Sequence, residues 1–411
     1  MIQHPSILIV TTKLGWGSGD RHLTNELIDG LLAAGAHVTV AFLDWDARPN
    51  GSAETRRLTN GVEVIVVPPR ALSSLGTFVR NLTQWLASSL FAVRPLAAAL
   101  GDRRFDVMFA WSPLIVSAAV LRWAQRRYGC RGFAYLTDFF PFHQRAAGQI
   151  PGGPFVWAGA QIENAALAAF NVVGVMSERG AEYVRRHYRL RSDQRVEVVR
   201  LWGDTSLPPP PDRTAVRARL GIPLDRPIAL FGGQISEGRG IEDLLAAATL
   251  AQTRQPHLQF LFLGRGRLTP LVERHIAEGG GNVTLRPAVP RDEYLALLGA
   301  CDVGLVATVA NTGVPTFPSK TIDYLRGGLP VVAAVEATTD YSDFVEANGF
   351  GIAVPAGNHE ALLQAIEQVV GDPARAAAMH AAGRIALERV FDPYVAARSI
   401  LDLTLASSSH G

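Results

Sequence analysis

Of the 39 basic residues in this 411-residue chain only Lys13 and Lys320 are lysines, and both fall in loops between an apolar run and a helix-like segment. An ammonium is a compact point charge suited to a phosphate at a helix start. Lys320 follows Pro318 and Ser319 in "PTFPSKTIDYLRGGLPVV", and Asp323 comes one turn later. Its carboxylate suits two roles, accepting hydrogen bonds from paired ribose hydroxyls or favouring the helix dipole. Arg239 stands just ahead of a second helix in "LFGGQISEGRGIEDLLAAATL", among Gly232, Gly233, Gly238 and Gly240. A cation and a glycine-rich loop at a helix N-terminus suit an anion, so these two segments point to phosphate chemistry.

The first half carries a glycine loop of its own, "TTKLGWGSGDRHLTNELIDGLL", with Gly15, Gly17 and Gly19 between a strand and a helix. A dinucleotide fingerprint needs glycine at the first, third and sixth positions, and counting from Gly15 the sixth is Asp20, a carboxylate beside the incoming pyrophosphate. What remains is a concavity that suits an anion or a bulky ligand, or a turn that needs glycine dihedrals. Asp44 and Asp46 in "LDWDA" have the spacing of a metal-binding carboxylate pair, but two acids after a strand are commonly a solvated turn.

These loops need strands and helices to position them. "ILIVTT", "HVTVAFL", "VEVIVVP", "DVMFAW", "GFAYLTD" and "VVGVMS" read as buried strands in the first half. "PIALFGG", "LQFLFLG", "VTLRPAV", "VGLVAT", "PVVAAV" and "GIAVP" repeat the pattern in the second. Strands alternating with helix-length segments imply parallel sheets, hence two doubly wound Rossmann-like α/β domains. The proline run of "SLPPPPD" sets the expected boundary: an N-terminal domain over 1-207, a second over 208-385, and a C-terminal helix over 386-411 packing back on the first. Ligands of such sheets bind beyond the carboxyl ends of the strands, so the expected site is a cleft between the domains.

Composition bounds the partners. Residues 1-207 carry a net charge of +6 and residues 208-411 a net charge of −4. The first half therefore favours anionic partners. Within it "FVRNLTQWLASSLFAVR", centred on Trp85, reads as a core-facing helix or as an amphipathic segment lying on a membrane surface. "WLASSLFAVRPLAAAL" is the longest apolar candidate, and Arg94 and Pro95 interrupt it, so no membrane span is expected. Cys130 and Cys301 offer neither a disulfide framework nor metal-ligand spacing. With no signal-peptide pattern, a cytoplasmic location is expected. The arginines are scattered without interleaved aromatics, which argues against nucleic acid.

The second half resembles the donor domain of the GT-B glycosyltransferases, specifically glycosyltransferase family 4. The resemblance runs through "FGGQISEGRGIEDLLAA", "LQFLFLGRGRLTPLVERHI", "NVTLRPAVPRDEYLALLGACDVGLVAT", "FPSKTIDYLRGGLPVVAA" and "VEANGFGIAVPAGNHEALLQAI", most of residues 228-370. The "PSK" form resembles the subgroup that extends lipid-linked sugars of bacterial surface polysaccharides. The first half is more loosely similar, in the glycine loop, "YLTDFFPFH" and "VVGVMSERGAEYV". The implied reaction moves a sugar from a nucleotide diphosphate donor, with a UDP-sugar favoured, to an acceptor hydroxyl with retention at the anomeric carbon. It implies no cofactor and no metal. The implied acceptor is a polyprenyl-diphosphate-linked sugar at the inner-membrane surface, with the enzyme peripheral on the cytoplasmic face.

By the same resemblance Gly233, Gln234, Arg239, Arg265, Val289, Thr316, Phe317, Ser319, Lys320, Thr321 and Asp323 meet the donor. Gly15, Trp16, Gly17, Ser18, Gly19 and Arg21 lie on the acceptor side. Arg239 and Lys320 are the expected catalytic cations, and Asp138 and His143 orient sugar or acceptor, Asp138 aligning with the position where some relatives place a histidine. Two departures stand out. Gln234 and Arg239 replace the arginine and lysine usual in the first donor loop. Of the family's paired glutamates, Pro315 replaces the first and Asp323 shortens the second. Two other functions fit the same plan, a GT-B-type nucleotide-sugar 2-epimerase and a non-catalytic nucleotide-sugar-binding subunit.

Overall fold

The computed structural model describes residues 4–17, 20–48, 51–70, 76–146, 150, 152–310 and 312–406, with only the backbone of 76–87 and 220. The chain forms two compact units, one of Met1–Gly203 with Asp392–Gly411 and one of Asp204–Phe391. They part a few residues from the expected 207/208 and 385/386 divisions.

The first unit runs β1 (Ser6–Thr11), α1 (Leu23–Ala33), β2 (His37–Leu43), β3 (Glu54–Arg57), β4 (Glu63–Val67), α2 (Gly76–Leu100), β5 (Val107–Trp111), α3 (Ala118–Tyr128), β6 (Arg131–Leu136), α4 (Phe142–Ala146), α5 (Pro154–Leu167), β7 (Val172–Val175), α6 (Glu178–His187) and β8 (Arg195–Val198). Its eight-stranded sheet has the order β3-β4-β2-β1-β5-β6-β7-β8. Every pairing is parallel except β3 with β4. The strands expected from sequence are near-continuous apolar runs because a parallel sheet is covered on both faces. β3 and β8 are additions at the edges. β3, "ETRR", is wholly exposed and held by its antiparallel ladder to β4. α2 continues through Pro95.

The second unit runs α7 (Arg213–Leu220), β9 (Ile228–Gly232), α8 (Ile241–Arg254), β10 (Gln259–Leu263), α9 (Thr269–Ala277), β11 (Val283–Arg286), α10 (Arg291–Gly299), β12 (Val303–Ala307), α11 (Lys320–Arg326), β13 (Val331–Val335), α12 (Tyr341–Ala347), β14 (Gly351–Pro355), α13 (His359–Val370) and α14 (Pro373–Val390). All six expected strands are present, in the order β11-β10-β9-β12-β13-β14. That is the Rossmann order, whose direction reverses between β9 and β12. The core under α8 and α13 is built from Phe231, Leu244, Phe260, Leu305 and Leu362, all essentially inaccessible to solvent.

The final helix, α15 (Pro393–Leu405), belongs to the first unit. Gly30 of α1 lets it approach, since a Cβ there would lie 2.3 Å from the Pro393 carbonyl oxygen. Among the described residues no helix is long and apolar enough to cross a membrane.

Candidate functional site

In the second unit several residues expected to meet the donor lie at the topological switch point, where an open α/β sheet leaves a crevice beyond its strand ends. β9 ends at Gly232, whose N–H donates to the Tyr324 hydroxyl at 2.9 Å, and Tyr324 donates onward to the Leu305 carbonyl at 3.1 Å. Gly233 follows with φ +121°, a conformation that side chains rarely adopt. Its backbone lies so close to Gly264 that a Cβ on Gly264 would sit 1.9 Å from the Gly233 oxygen. Gly240 (φ +58°) likewise brings the start of α8 against Ala307 and Thr308.

Lys320 opens α11 and lays its Nζ 3.6 Å from the Phe231 ring centroid. Burial, then the positive charge of Arg239, push its pKa well below the usual lysine value. A cation placed where its surroundings oppose its charge is prepared to meet an anion. The structure therefore brings together Gly233, Lys320 and the field of Arg239. Gln234, Arg239 and Arg265 are exposed on the same loops, and Val289 is half-buried before α10.

One expected donor contact is corrected. The Thr321 side chain is fully buried, with its hydroxyl donating to the Pro318 carbonyl at 2.9 Å and paired with the Tyr341 hydroxyl. It therefore braces the start of α11 and cannot reach a ligand. Phe317 packs its ring against Tyr341 and Phe344, at centroid distances of 5.2 and 5.0 Å, leaving its backbone for the site. Ser319 is exposed at the N-cap of α11.

Asp323 is held in a two-point pair by Arg291, one contact being 2.7 Å from Nη1 to Oδ2 and the other joining Nη2 to Oδ1. Arg291 begins α10, directly after the "AVP" segment. Sequence reasoning missed it, because residues 32 apart pair only once α10 packs on α11. Glu336 was missed as well. It is 4% exposed beyond β13, and its carboxylate accepts the Thr312 N–H at 2.9 Å and the Thr312 hydroxyl. Its own N–H donates to the Thr308 hydroxyl, and Thr339 Oγ1 donates to the Thr316 carbonyl at 2.6 Å. These bonds strap down the loop that carries Pro315, where the family glutamate is replaced. The Thr316 hydroxyl is buried there with no hydrogen-bond partner among the described residues.

In the first unit the described part of the glycine loop is turned inward on its own chain. The Asp20 carboxylate accepts the N–H groups of Trp16 and Gly17 at 3.1 and 2.7 Å, which holds its pKa below the usual carboxylate value. Asn25 of α1 bonds both the N–H and the carbonyl of Gly15 at 2.9 Å. Among the described residues of the loop, the N–H groups of Gly15, Trp16 and Gly17 are thus already used. Arg21 is also committed, to Glu26 at 2.8 Å and to Asp29. Trp16 packs edge-on to Phe42 with Arg56 5.2 Å above its ring. Ser18 and Gly19 lie outside the described residues, as does the side chain of Trp85. Asp44 Oδ1 accepts the N–H groups of Asp46 and Ala47, both at 3.1 Å, a local Asx turn.

Asp138 and His143 do meet beyond the end of β6, with Nε2 4.0 Å from Oδ1. Ser112 Oγ accepts the N–H groups of Thr137 and Asp138 at 3.1 Å, tying that turn to the end of β5. The short 3₁₀ turn that follows, Leu114–Val116, is capped by Glu163 of α5, whose oxygens accept the Leu114 and Ile115 N–H groups at 2.7 and 2.9 Å. Glu163 is 1% exposed, and burial pushes its pKa up to about 7 against the lowering effect of those two bonds.

Two Rossmann-like parallel sheets, shared with solved structures of the same plan, define the GT-B class of glycosyltransferase. The family model for "Glycosyl transferases group 1" matches residues 212–386, and that for "Glycosyl transferase 4-like domain" matches residues 19–202. The chain belongs to the GT-B glycosyltransferases of the family 4 type and is a hexosyltransferase-type enzyme. It is 24% identical over 367 residues to the "Putative colanic acid biosynthesis glycosyl transferase WcaI" of Escherichia coli K12, covering 84% of this chain and 87% of the relative. Among solved structures it is similar to sucrose-phosphate synthase from Thermosynechococcus elongatus, with a TM-score of 0.72 and 20% identity over 97% of this chain and 98% of that one. Anabaena HepE in complex with UDP-glucose has a TM-score of 0.68 and 16% identity, over 97% of this chain and 99% of that one.

Proposed function

We propose that this enzyme transfers a hexose, with retention, from a UDP-sugar to a hydroxyl of a lipid-linked sugar, working peripherally at the cytoplasmic face of a membrane and without a metal ion. The observation that carries the donor half is Lys320, a half-buried cation at the switch point whose charge its own surroundings oppose. Such a charge is strengthened most by a diphosphate, and more as the sugar bond breaks and negative charge collects on the leaving group. Arg239 supplies the second cation. Asp323, fixed by Arg291, accepts from the ribose hydroxyls through its remaining lone pairs. Arg265 and the backbone at Val289 flank the base, while Ser319, Gln234 and the backbone at Thr316 and Phe317 border the sugar.

Asp138 and His143 orient sugar or acceptor from the first unit, with Trp16 beside the acceptor. The UDP-glucose complex of a structural neighbour supports the donor class, and the colanic acid relative supports a polysaccharide acceptor. Thermal shift with UDP-, GDP- and ADP-sugars tests the reading, since a ligand that binds only the folded state raises its apparent stability. UDP-sugars should give the largest shift, and Lys320→Ala should lower turnover more than donor affinity. An absence of shift with every nucleotide sugar would overturn the donor assignment.

A further inference from the structure

We propose that Arg291 makes the donor site read one ribose hydroxyl rather than two, so that a deoxyribonucleoside diphosphate sugar lacking the other hydroxyl still binds. The proposal rests on the assignment of Asp323 to the ribose and narrows what that carboxylate can do there. A carboxylate offers four lone pairs, two directed forward from its oxygens side by side and two directed outward, one on each flank. Neighbouring hydroxyls of one ring, about 3 Å apart, are accepted together with good geometry only at the forward pair. Arg291 holds that pair. Its Nη1 donates to Asp323 Oδ2 at 2.7 Å and its Nη2 donates to Oδ1, so the guanidinium fork spans both oxygens and fills the space ahead of them. The lone pairs that are left point away from each other, and donors at hydrogen-bond distance along them stand about 7 Å apart. One ribose does not span that gap, so Asp323 accepts from a single hydroxyl.

A ligand does not easily displace this fork. The Asp323 and Arg291 side chains are 22% and 35% exposed, so both charges are partly withdrawn from water. Asp323 stands between the buried Ile322 and Tyr324, which fix how α11 presents it. The Arg291 guanidinium lies 5.9 Å from the ring centroid of Tyr294, one turn further along α10. Asp204, an acid whose charge also reaches Arg291, is held by Arg326 at 2.6 Å. Turning the guanidinium away would leave a partly buried charge on each side, and two neutral hydroxyls do not compensate for that loss. The ribose therefore approaches Asp323 from one flank, with Arg291 still in place.

The test is titration calorimetry of the full chain with UDP, 2′-deoxy-UDP, 3′-deoxy-UDP and pyrophosphate. One deoxy analogue should bind wild type within about twofold of UDP, and the other about tenfold or more weakly, the size of a hydrogen bond to a charged acceptor. Arg291→Met opens the front of Asp323 and keeps an unbranched stem beside Tyr294. In that variant UDP should bind more weakly, because the carboxylate is no longer oriented. The gap between the two analogues should nevertheless close to about twofold, since both hydroxyls then share the forward lone pairs. Arg291→Lys should narrow the gap as well, because an ammonium is a point charge and cannot form the fork. Pyrophosphate should bind wild type and variants alike, which reports their folding, and the wild-type profile decides the matter even if a variant fails to fold. Equal penalties for both analogues on wild type would overturn the proposal, as would no penalty for either. A gap left intact by Arg291→Met would overturn it too, since a merely structural arginine would move all the nucleotides together. Normal UDP binding with equal penalties removes the single-hydroxyl reading and leaves the donor assignment standing; wild type that binds no UDP removes the donor assignment and this proposal with it.

Discussion

Lys320→Met separates what the ammonium does for the fold from what it does for the ligand. Methionine keeps an unbranched stem against Phe231 and deletes the charge. In the ligand-free domain the charge is opposed by burial and by Arg239, and its compensating contact is the Phe231 ring face at 3.6 Å. That contact is worth about 0.5–2 kcal/mol. Removing an opposed cation should leave a net gain in stability of about 1–2 kcal/mol. For a domain of this size each kcal/mol raises the midpoint by about 2–4 °C.

The effect on binding has the opposite sign. A unit charge about 4 Å from a phosphate at an effective dielectric of about 20 contributes about 4 kcal/mol. Desolvation takes back part of that, so UDP affinity should fall on the order of a hundredfold. Thermal unfolding of the ligand-free protein and titration calorimetry with UDP read the two effects separately. The native pKa lies below the unfolded value, so the lysine's contribution to stability is present above the unfolded pKa and is lost as pH falls through the native one. The stability advantage of Lys320→Met should therefore shrink as pH rises toward 10.5, the ordinary lysine value. If the variant lost stability and UDP affinity together, Lys320 would be a structural cation and the reasoning would be refuted.

Glu163 holds its proton up to about pH 7 in the fold but only to 4.5 when unfolded. That linkage stabilises fully below 4.5 and is lost as pH rises through 7, a change of about 3 kcal/mol. The difference in unfolding free energy between wild type and Glu163→Gln should move by that amount in the variant's favour across the range, and a flat difference would refute it. Asp323→Asn should weaken UDP binding by about 1–3 kcal/mol while leaving pyrophosphate affinity unchanged. Arg291→Ala should do the same, and the double variant should be no worse than the weaker single, since additive losses would show that the two act separately. Chelation with EDTA should leave sugar transfer unchanged, and a loss restored by manganese or magnesium would return attention to Asp44 and Asp46.

The second sheet was legible because its central strands β9, β10, β12 and β13 are apolar runs buried on both faces, and periodicity reports that directly. β3 was not, since "ETRR" has no apolar residue and exists through its hydrogen bonds to β4. Gly233, Arg239 and Lys320 could be read because glycine and cations at the junctions of strands and helices are local signals. Arg291 and Glu336 could not, because a guanidinium 32 residues from its carboxylate, or an acid folded over a loop 24 residues earlier, is set by packing. The glycine loop misled in an instructive way. Asp20 breaks the dinucleotide fingerprint, and its carboxylate also takes the Trp16 and Gly17 N–H groups that helped make the loop look receptive.

The return of α15 to the first unit has a consequence for biosynthesis. The second unit is one continuous stretch, 204–391, and can finish folding as soon as it leaves the ribosome. The first unit emerges earlier yet waits for its last helix, and at about 5–20 residues per second the interval is roughly ten to forty seconds. During that time the face of α1 at Gly30 is bare, and Arg131 lacks the Leu405 and Ala406 carbonyls to which it later donates at 2.9 and 2.8 Å. A nascent chain in this state is a natural client for chaperones, and a premature stop just before Pro393 would leave a folded second unit tethered to a first one that never closes.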